Sequence, residues 1–343
     1  MKAMLLHQIA NLHKNQTPLS PAVVPDPIPG GKEILVKVSA CGVCHTELDE
    51  IEGRTPPPQF PIILGHQIIG RVSAQGQDAT KWQVGDRVGI GWIHSTCGEC
   101  LFCQTGRENL CQDFKATGRD AAGGYAEYAT VPEDSAYLIP ECFTDEEAAP
   151  LLCAGAIGYR SLRLTNLENG QNLGLTGFGA SAHLVLKMAR FLYPDSRVFV
   201  FARNRTQQSF ARELGAVWSG KATDASPEKL HAIIDTTPAW KPITEAMKNL
   251  ERGGRLIINA IRKEEGDKES LLTLDYPSQL WLEKEIKSVA NVTRRDIRDF
   301  LRIAGEMAIH PQYEIYPLAE ANRALSELKT GKVRGAKVLV IGR

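Results

Sequence analysis

At 343 residues the chain is long for a single core and fits two domains of ordinary size. Its 43% hydrophobic and 23% charged residues suit a globular enzyme and exclude a disordered chain. Forty basic and forty acidic residues cancel, so no overall field favours nucleic acid or an anionic membrane as partner. No apolar run approaches the ~20 residues of a membrane span. The start, Met1-Lys2-Ala3-Met4-Leu5-Leu6, is too soon polar for an export signal, so a cytoplasmic location is expected.

The first 150 residues read as a strand-rich module. Glu33 to Val38 forms a strand after the turn-rich Pro25 to Gly31. Ile68 to Val72 and Asp86 to Ile90 read the same way. Frequent glycine and proline suggest a twisted barrel or Greek-key sheet. Near residue 150 the pattern changes. Strands at Asn172 to Thr176, Arg197 to Phe201, His231 to Asp235, Arg255 to Asn259 and Ser288 to Val292 follow one another. Helical stretches, such as Ala182 to Leu192 and Gln207 to Leu214, separate the first of them. This alternation predicts a parallel sheet with helices on both faces. The tail from Thr293 ends in a strand, Lys337 to Ile341.

Eight cysteines could make four disulfides, but six fall between Cys41 and Cys111. In a large chain without an export signal such a cluster serves a metal more often than bridges. Cys97, Cys100, Cys103 and Cys111 can wrap one tetrahedral zinc ion without help from elsewhere. With all four positions filled by protein, that zinc is structural and ties down a lobe lacking its own core. Paired disulfides suit a reducing cell poorly, and a nucleic-acid-binding finger would bring more local basic charge. An iron–sulfur cluster stays open on spacing alone.

Gly174 to Ala182 joins a predicted strand to a helix. Gly177 and Gly179 match the first two glycines of the dinucleotide fingerprint, and Ala182 takes the third place. The expected chemistry is a tight turn that brings a pyrophosphate onto free N–H groups at Ala180 and Ser181. A turn without a ligand is the alternative. The next strand normally ends in a carboxylate when the cofactor is NAD. Here it runs into Ala202, Arg203, Asn204 and Arg205, two guanidinium groups and no acid, which favours NADP(H) over NAD(H). Otherwise Arg203 and Arg205 are solvated, or Arg203 stacks on adenine.

With these motifs in view, the chain resembles the zinc-dependent alcohol dehydrogenases of the medium-chain dehydrogenase/reductase superfamily. The likeness runs over the whole length. Its most specific stretches are Cys41 to Leu48, Leu64-Gly65-His66, Asp86 to Gly89, the four-cysteine lobe, Gly123 to Tyr128 and Pro150 to Gly155. The resemblance implies an α/β protein: a GroES-like β-rich catalytic domain at 1–150, completed by 294–343, and a Rossmann doubly wound parallel-sheet domain at 151–293. An active site in the cleft between them would follow. It also implies a catalytic zinc on Cys44, His66 and Cys153, a trio too scattered for spacing to find. Three protein ligands leave one position open, where an alcohol is acidified or a carbonyl polarised. Thr46 matches the hydroxyl that passes the alcohol proton outward, His45 a residue near the pyrophosphate, and Trp92 an aromatic wall of the substrate pocket.

Three departures stand out. Many relatives read Gly-His-Glu where this chain has Gly65-His66-Gln67, which removes a negative charge beside the zinc. A relay histidine of relatives is Asp49 here, a carboxylate already ionised at neutral pH. Glu47 replaces the aspartate that supports the zinc histidine. The resemblance further implies a small-molecule alcohol or aldehyde as substrate and a homodimer or homotetramer. The rival readings are an NADPH-dependent carbonyl reductase and a silent zinc- and nucleotide-binding paralogue.

Overall fold

The computed structural model describes residues 1–331 and 335–342, the side chain of Ala180 excepted. The chain divides into two compact units, Met1–Cys153 with Val292–Arg343, and Ala154–Asn291.

The first unit is built on a seven-stranded sheet around the long strand Glu33–Val43. That strand pairs antiparallel with Ile68–Gln75, with Tyr128–Pro132 and with Ala336–Val340 near the chain's end. Its alternation explains the position: Ile34, Val36 and Val38 are buried, while Lys37 between them is exposed. Leu6, Leu64, Ile68, Ile90 and Leu325 fill the same core. The C-terminal segment thus completes the sheet that the N-terminal half begins.

The second unit holds six parallel strands in the order Trp218–Gly220, Arg197–Phe201, Asn172–Thr176, Leu230–Asp235, Leu250–Ile258, Glu285–Ser288. In chain order this is 3-2-1-4-5-6, the doubly wound Rossmann arrangement. Asn172–Thr176 is buried at every position, as expected of a central parallel strand covered on both faces.

One expected strand differs. The apolar run Ser288 to Val292 predicts the last strand of this sheet, but the ladder runs over Glu285–Ser288, with Arg255 opposite Glu285 and Ile258 opposite Ser288. The partner strand ends at Ile258, which fixes the register. Val289 and Val292 are buried beyond the strand, whereas all four strand residues are exposed. The apolar run marked burial, not strand. Among the described residues no helix is long and apolar enough to cross a membrane.

Candidate active site

Cys44, His66 and Cys153 converge within the first unit. Cys44 is the N-cap of the short helix His45–Ile51, in an extended conformation, and its Sγ accepts the Thr46 N–H at 3.3 Å. Glu47 closes the cap by accepting the Cys44 N–H at 2.8 Å. Its other oxygen accepts from His66 Nδ1 at 2.6 Å, which turns Nε2 toward Cys44 Sγ, 3.8 Å away. One side chain thus caps the helix that carries the first sulfur and orients the ring that carries the nitrogen.

His66 lies in the irregular stretch before Ile68–Gln75. Gly65 precedes it at φ +99°, and a Cβ there would sit 2.5 Å from Tyr125 Cδ1, so only glycine lets the chain turn against Tyr125. Cys153 sits in a π-type turn, Leu151–Gly155, between the helices Asp145–Pro150 and Ala156–Leu164. Such wide turns recur at functional sites. The ligand atoms of Cys44, His66 and Cys153 all lie within 4.8 Å of one another.

This donor set fits a dication. Cys153's thiol, then burial, pushes the Cys44 thiol well above its ordinary range. Burial opposes protonation of His66, yet Glu47 and Cys44 drive its pKa well up. Crowded thiols that resist ionisation are relieved by a divalent charge placed among them.

The four-cysteine lobe is equally compact. All eight cysteines are free thiols, and the sulfurs of Cys97, Cys100, Cys103 and Cys111 lie within 4.8 Å of one another. Cys97 Sγ is 3.8 Å from Cys103 Sγ and 3.5 Å from Cys111 Sγ. A tetrahedron with zinc–sulfur bonds of about 2.3 Å has edges of about 3.8 Å. An iron–sulfur cluster would need its own atoms between the thiolates and hence a wider cage. The Cys100 N–H, then that of Glu99, lowers the Cys97 thiol to about 7, poised to be a thiolate ligand.

The glycine turn follows Asn172–Thr176. Gly177 takes φ +79°, and a Cβ there would lie 2.7 Å from Thr236 Oγ1. At Gly179 a Cβ would meet nothing within 4 Å, so the backbone is open on that side. Gly179 caps the helix Ala180–Leu192 without a side-chain hydrogen bond. The first N–H groups of this 13-residue helix therefore have no capping side chain. Ala182 is fully buried. Ser181 Oγ donates to the Ala154 carbonyl at 3.2 Å. Ala202 is buried, while Arg203 and Arg205 are exposed at the end of Arg197–Phe201. Among the described residues neither guanidinium has a hydrogen-bond or ion-pair partner.

Residues 30–141 match the family model described as Alcohol dehydrogenase GroES-like domain. Over 329 residues the chain is 41% identical to a Mycobacterium tuberculosis protein named "Probable alcohol dehydrogenase AdhA", covering 94% of this chain and 93% of that one. This chain belongs to the zinc-type medium-chain alcohol dehydrogenases. The dehydrogenase is also 31% identical over 352 residues to an alcohol dehydrogenase of Geobacillus stearothermophilus, covering 99% of this chain and 100% of that one. A solved cinnamyl alcohol dehydrogenase of Sorghum bicolor shares its fold at a TM-score of 0.82 and 26% identity, over 99% of this chain and 97% of that one. The protein is thus a zinc-dependent NAD(P)-linked oxidoreductase that moves a hydride between a small alcohol or its carbonyl counterpart and the nicotinamide.

Around the dehydrogenase's trio the other expected residues take distinct places. Trp92 packs edge-on to His66, ring centroids 5.1 Å apart. Thr46 is buried and His45 exposed at the first turn of the helix. Gln67 is buried, its Nε2 without a partner among the described residues. A Cβ at Gly42 would lie 2.4 Å from Gln67 Oε1, so glycine there makes room for the amide. Asp49 is buried and ion-paired with Arg54. Arg54 went unnoticed in the sequence because a spacing of five is not a helical-face spacing.

Glu50 was also missed. It lies one turn after Glu47, is fully buried, and neither carboxyl oxygen has a hydrogen-bond partner among the described residues. Burial, then the charge of Glu47, pushes its pKa well above the carboxylate range, against His66 and Arg119. Folding therefore retains a proton that the unfolded chain gives up. The cost is absent below the unfolded value of about 4.3 and grows as pH rises toward the folded value, by up to about 1.4 kcal/mol per pH unit. Glu50→Gln removes that cost. Its advantage in melting temperature over the parent should widen from pH 5 to pH 8; a constant difference would show that Glu50 does not hold the proton.

Proposed function

We propose that the dehydrogenase holds two zinc ions per chain: a catalytic one on Cys44, His66 and Cys153, and a structural one on Cys97, Cys100, Cys103 and Cys111. We further propose that its cofactor is NADP(H) rather than NAD(H). The observation that carries the catalytic assignment is the convergence of two sulfurs and one ring nitrogen, with no fourth His, Cys, Asp or Glu ligand in the group among the described residues. When bound, zinc supplies a Lewis acid for the substrate oxygen and the nicotinamide accepts or donates the hydride.

The chain's own residues do the rest. Glu47 fixes the His66 tautomer by accepting from Nδ1 and leaves Nε2 for the metal. Trp92 holds the ring from the side. Thr46 supplies the hydroxyl through which the alcohol proton leaves. Beyond it, Asp49 is engaged by Arg54, so the far end of any relay is an ion pair rather than an imidazole. Gln67 leaves the site one negative charge poorer than the Gly-His-Glu pattern, which sharpens the pull of the metal on the substrate oxygen.

The cofactor preference rests on Arg203 and Arg205, two unpartnered guanidiniums at a strand end without a carboxylate. Steady-state rates over alcohols and aldehydes with both cofactors test it. Arg203→Asp should lower the NADP-over-NAD ratio of kcat/KM by about 10- to 100-fold, the worth of a charge-assisted hydrogen bond. An unchanged ratio removes the charge argument.

A further inference from the structure

The parallel sheet reverses its strand order between Asn172–Thr176 and Leu230–Asp235. Ligands of such sheets bind at the carboxyl ends of the strands flanking that reversal. A buried ionic network spans this point. Asp235, fully buried at the end of its strand, accepts hydroxyl hydrogen bonds from Thr176 at 2.7 Å and Thr237 at 2.8 Å. Its other oxygen takes the ammonium of Lys263, whose side chain is 7% exposed. Lys263 Nζ also donates to the carbonyls of Thr237, at 2.7 Å, and Ala239, at 3.1 Å. The ammonium's three donors thus meet three acceptors.

The backbone is tied in the same place. Thr236 donates to the Thr176 carbonyl through its N–H at 2.9 Å and its hydroxyl at 3.0 Å. Asn259 N–H reaches the Asp235 carbonyl at 2.7 Å. The turn so fixed lies against the glycine turn: a Cβ on Gly177 would come 2.7 Å from Thr236 Oγ1 and 2.9 Å from Thr237 Cγ2.

Stability is a weak reason for this network, because a buried ion pair about breaks even with well-packed apolar residues. A fully satisfied polar network does fix one geometry. We propose that Lys263 is a positioning residue for the dinucleotide. Locked on Asp235, it sets the wall of Thr236 and Thr237 against which the Gly177 turn closes. The proposal rests on the reading that the dinucleotide lies at Gly177 to Ser181. Nothing about Lys263 selects between NAD(H) and NADP(H), so both should depend on it equally.

The test is fluorescence titration of zinc-loaded protein with NADH and with NADPH, beside kcat at saturating cofactor. Lys263→Met should raise Kd for both cofactors by about tenfold or more. Zinc content should be unchanged and kcat at saturation should stay within a few-fold. Lys263→Met that binds both cofactors as tightly as the parent overturns the proposal, whatever its melting temperature. If Lys263→Met is not recovered folded, Thr237→Val decides, with the same direction expected and an unchanged Kd overturning it. Gly179→Val separates the two ideas. Its side chain has space in the fold, so unchanged cofactor binding there removes the dinucleotide placement itself. Weakened binding in Gly179→Val with parental binding in Lys263→Met removes only the role of Lys263.

Discussion

Cys44→Ala should lower alcohol turnover by on the order of 10³-fold or more and leave the chain folded. The size follows from the several kcal/mol that a Lewis acid contributes to a developing charge, at about 1.4 kcal/mol per tenfold in rate. Cys44 has a second role that the same change disturbs. Its sulfur caps the helix His45–Ile51 by accepting the Thr46 N–H, and a lost cap costs about 1 kcal/mol. That is worth only a few degrees in melting temperature. Cys44→Ser separates the two effects, since a serine oxygen caps a helix well but is not a thiolate ligand. Both variants should retain only the lobe zinc by metal analysis and be nearly inactive, while Cys44→Ser melts closer to the parent. Parental metal content and turnover in either variant would remove Cys44 from the catalytic site.

The two candidate metal clusters are unequally legible. Cys97, Cys100, Cys103 and Cys111 are close in sequence, so their spacing carries the geometry by itself. Cys44, His66 and Cys153 come from a helix N-cap, an irregular stretch after a glycine and a π-type turn. No local pattern links such elements, and only resemblance named them. The strand–helix alternation of the second unit was legible because each buried parallel strand is a short apolar run between turns. It failed at Ser288 to Val292, where register is set by the partner strand and the apolar residues bury elsewhere.

Charged residues were the hardest to place. Glu50 and Asp49 lie in a short, charge-rich helix, yet every residue after His45 in it is buried. Glu47 and Glu50 share one face at a spacing of three, and Leu48 and Ile51 beside them are the only local hint of burial. Lys263 and Asp235 are likewise unremarkable in sequence. Their partners are strand-end hydroxyls and carbonyls, which depend on sheet order rather than on neighbours in the chain.

Removing one thiolate from the lobe should act on the fold rather than on the chemistry. The helix Leu101–Gln104 buries none of its residues, and Leu101 and Leu110 are exposed, so this lobe has almost no apolar core. What orders it, besides the proposed metal, is a small set of polar ties. Glu108, 6% exposed, accepts the Arg294 N–H at 2.6 Å at the start of the helix Arg294–Glu306. One such bond is worth about 1.5–3 kcal/mol. Structural zinc contributes on the order of 10 kcal/mol to folding in small zinc domains. With zinc proposed there, the metal dominates the local balance, and Cys100→Ala should free the lobe while the Arg294 bonds to Glu108 and Thr96 and the Ile93–Ser95 ladder hold its base. The melting temperature should fall by about 5 °C or more. Limited proteolysis should cut first between residues 97 and 111. One zinc should remain per chain, and kcat measured before the lobe unravels should stay within a few-fold of the parent, because Cys44, His66 and Cys153 are untouched. A parental melting temperature and an intact lobe under protease would show that these four cysteines hold nothing the fold requires.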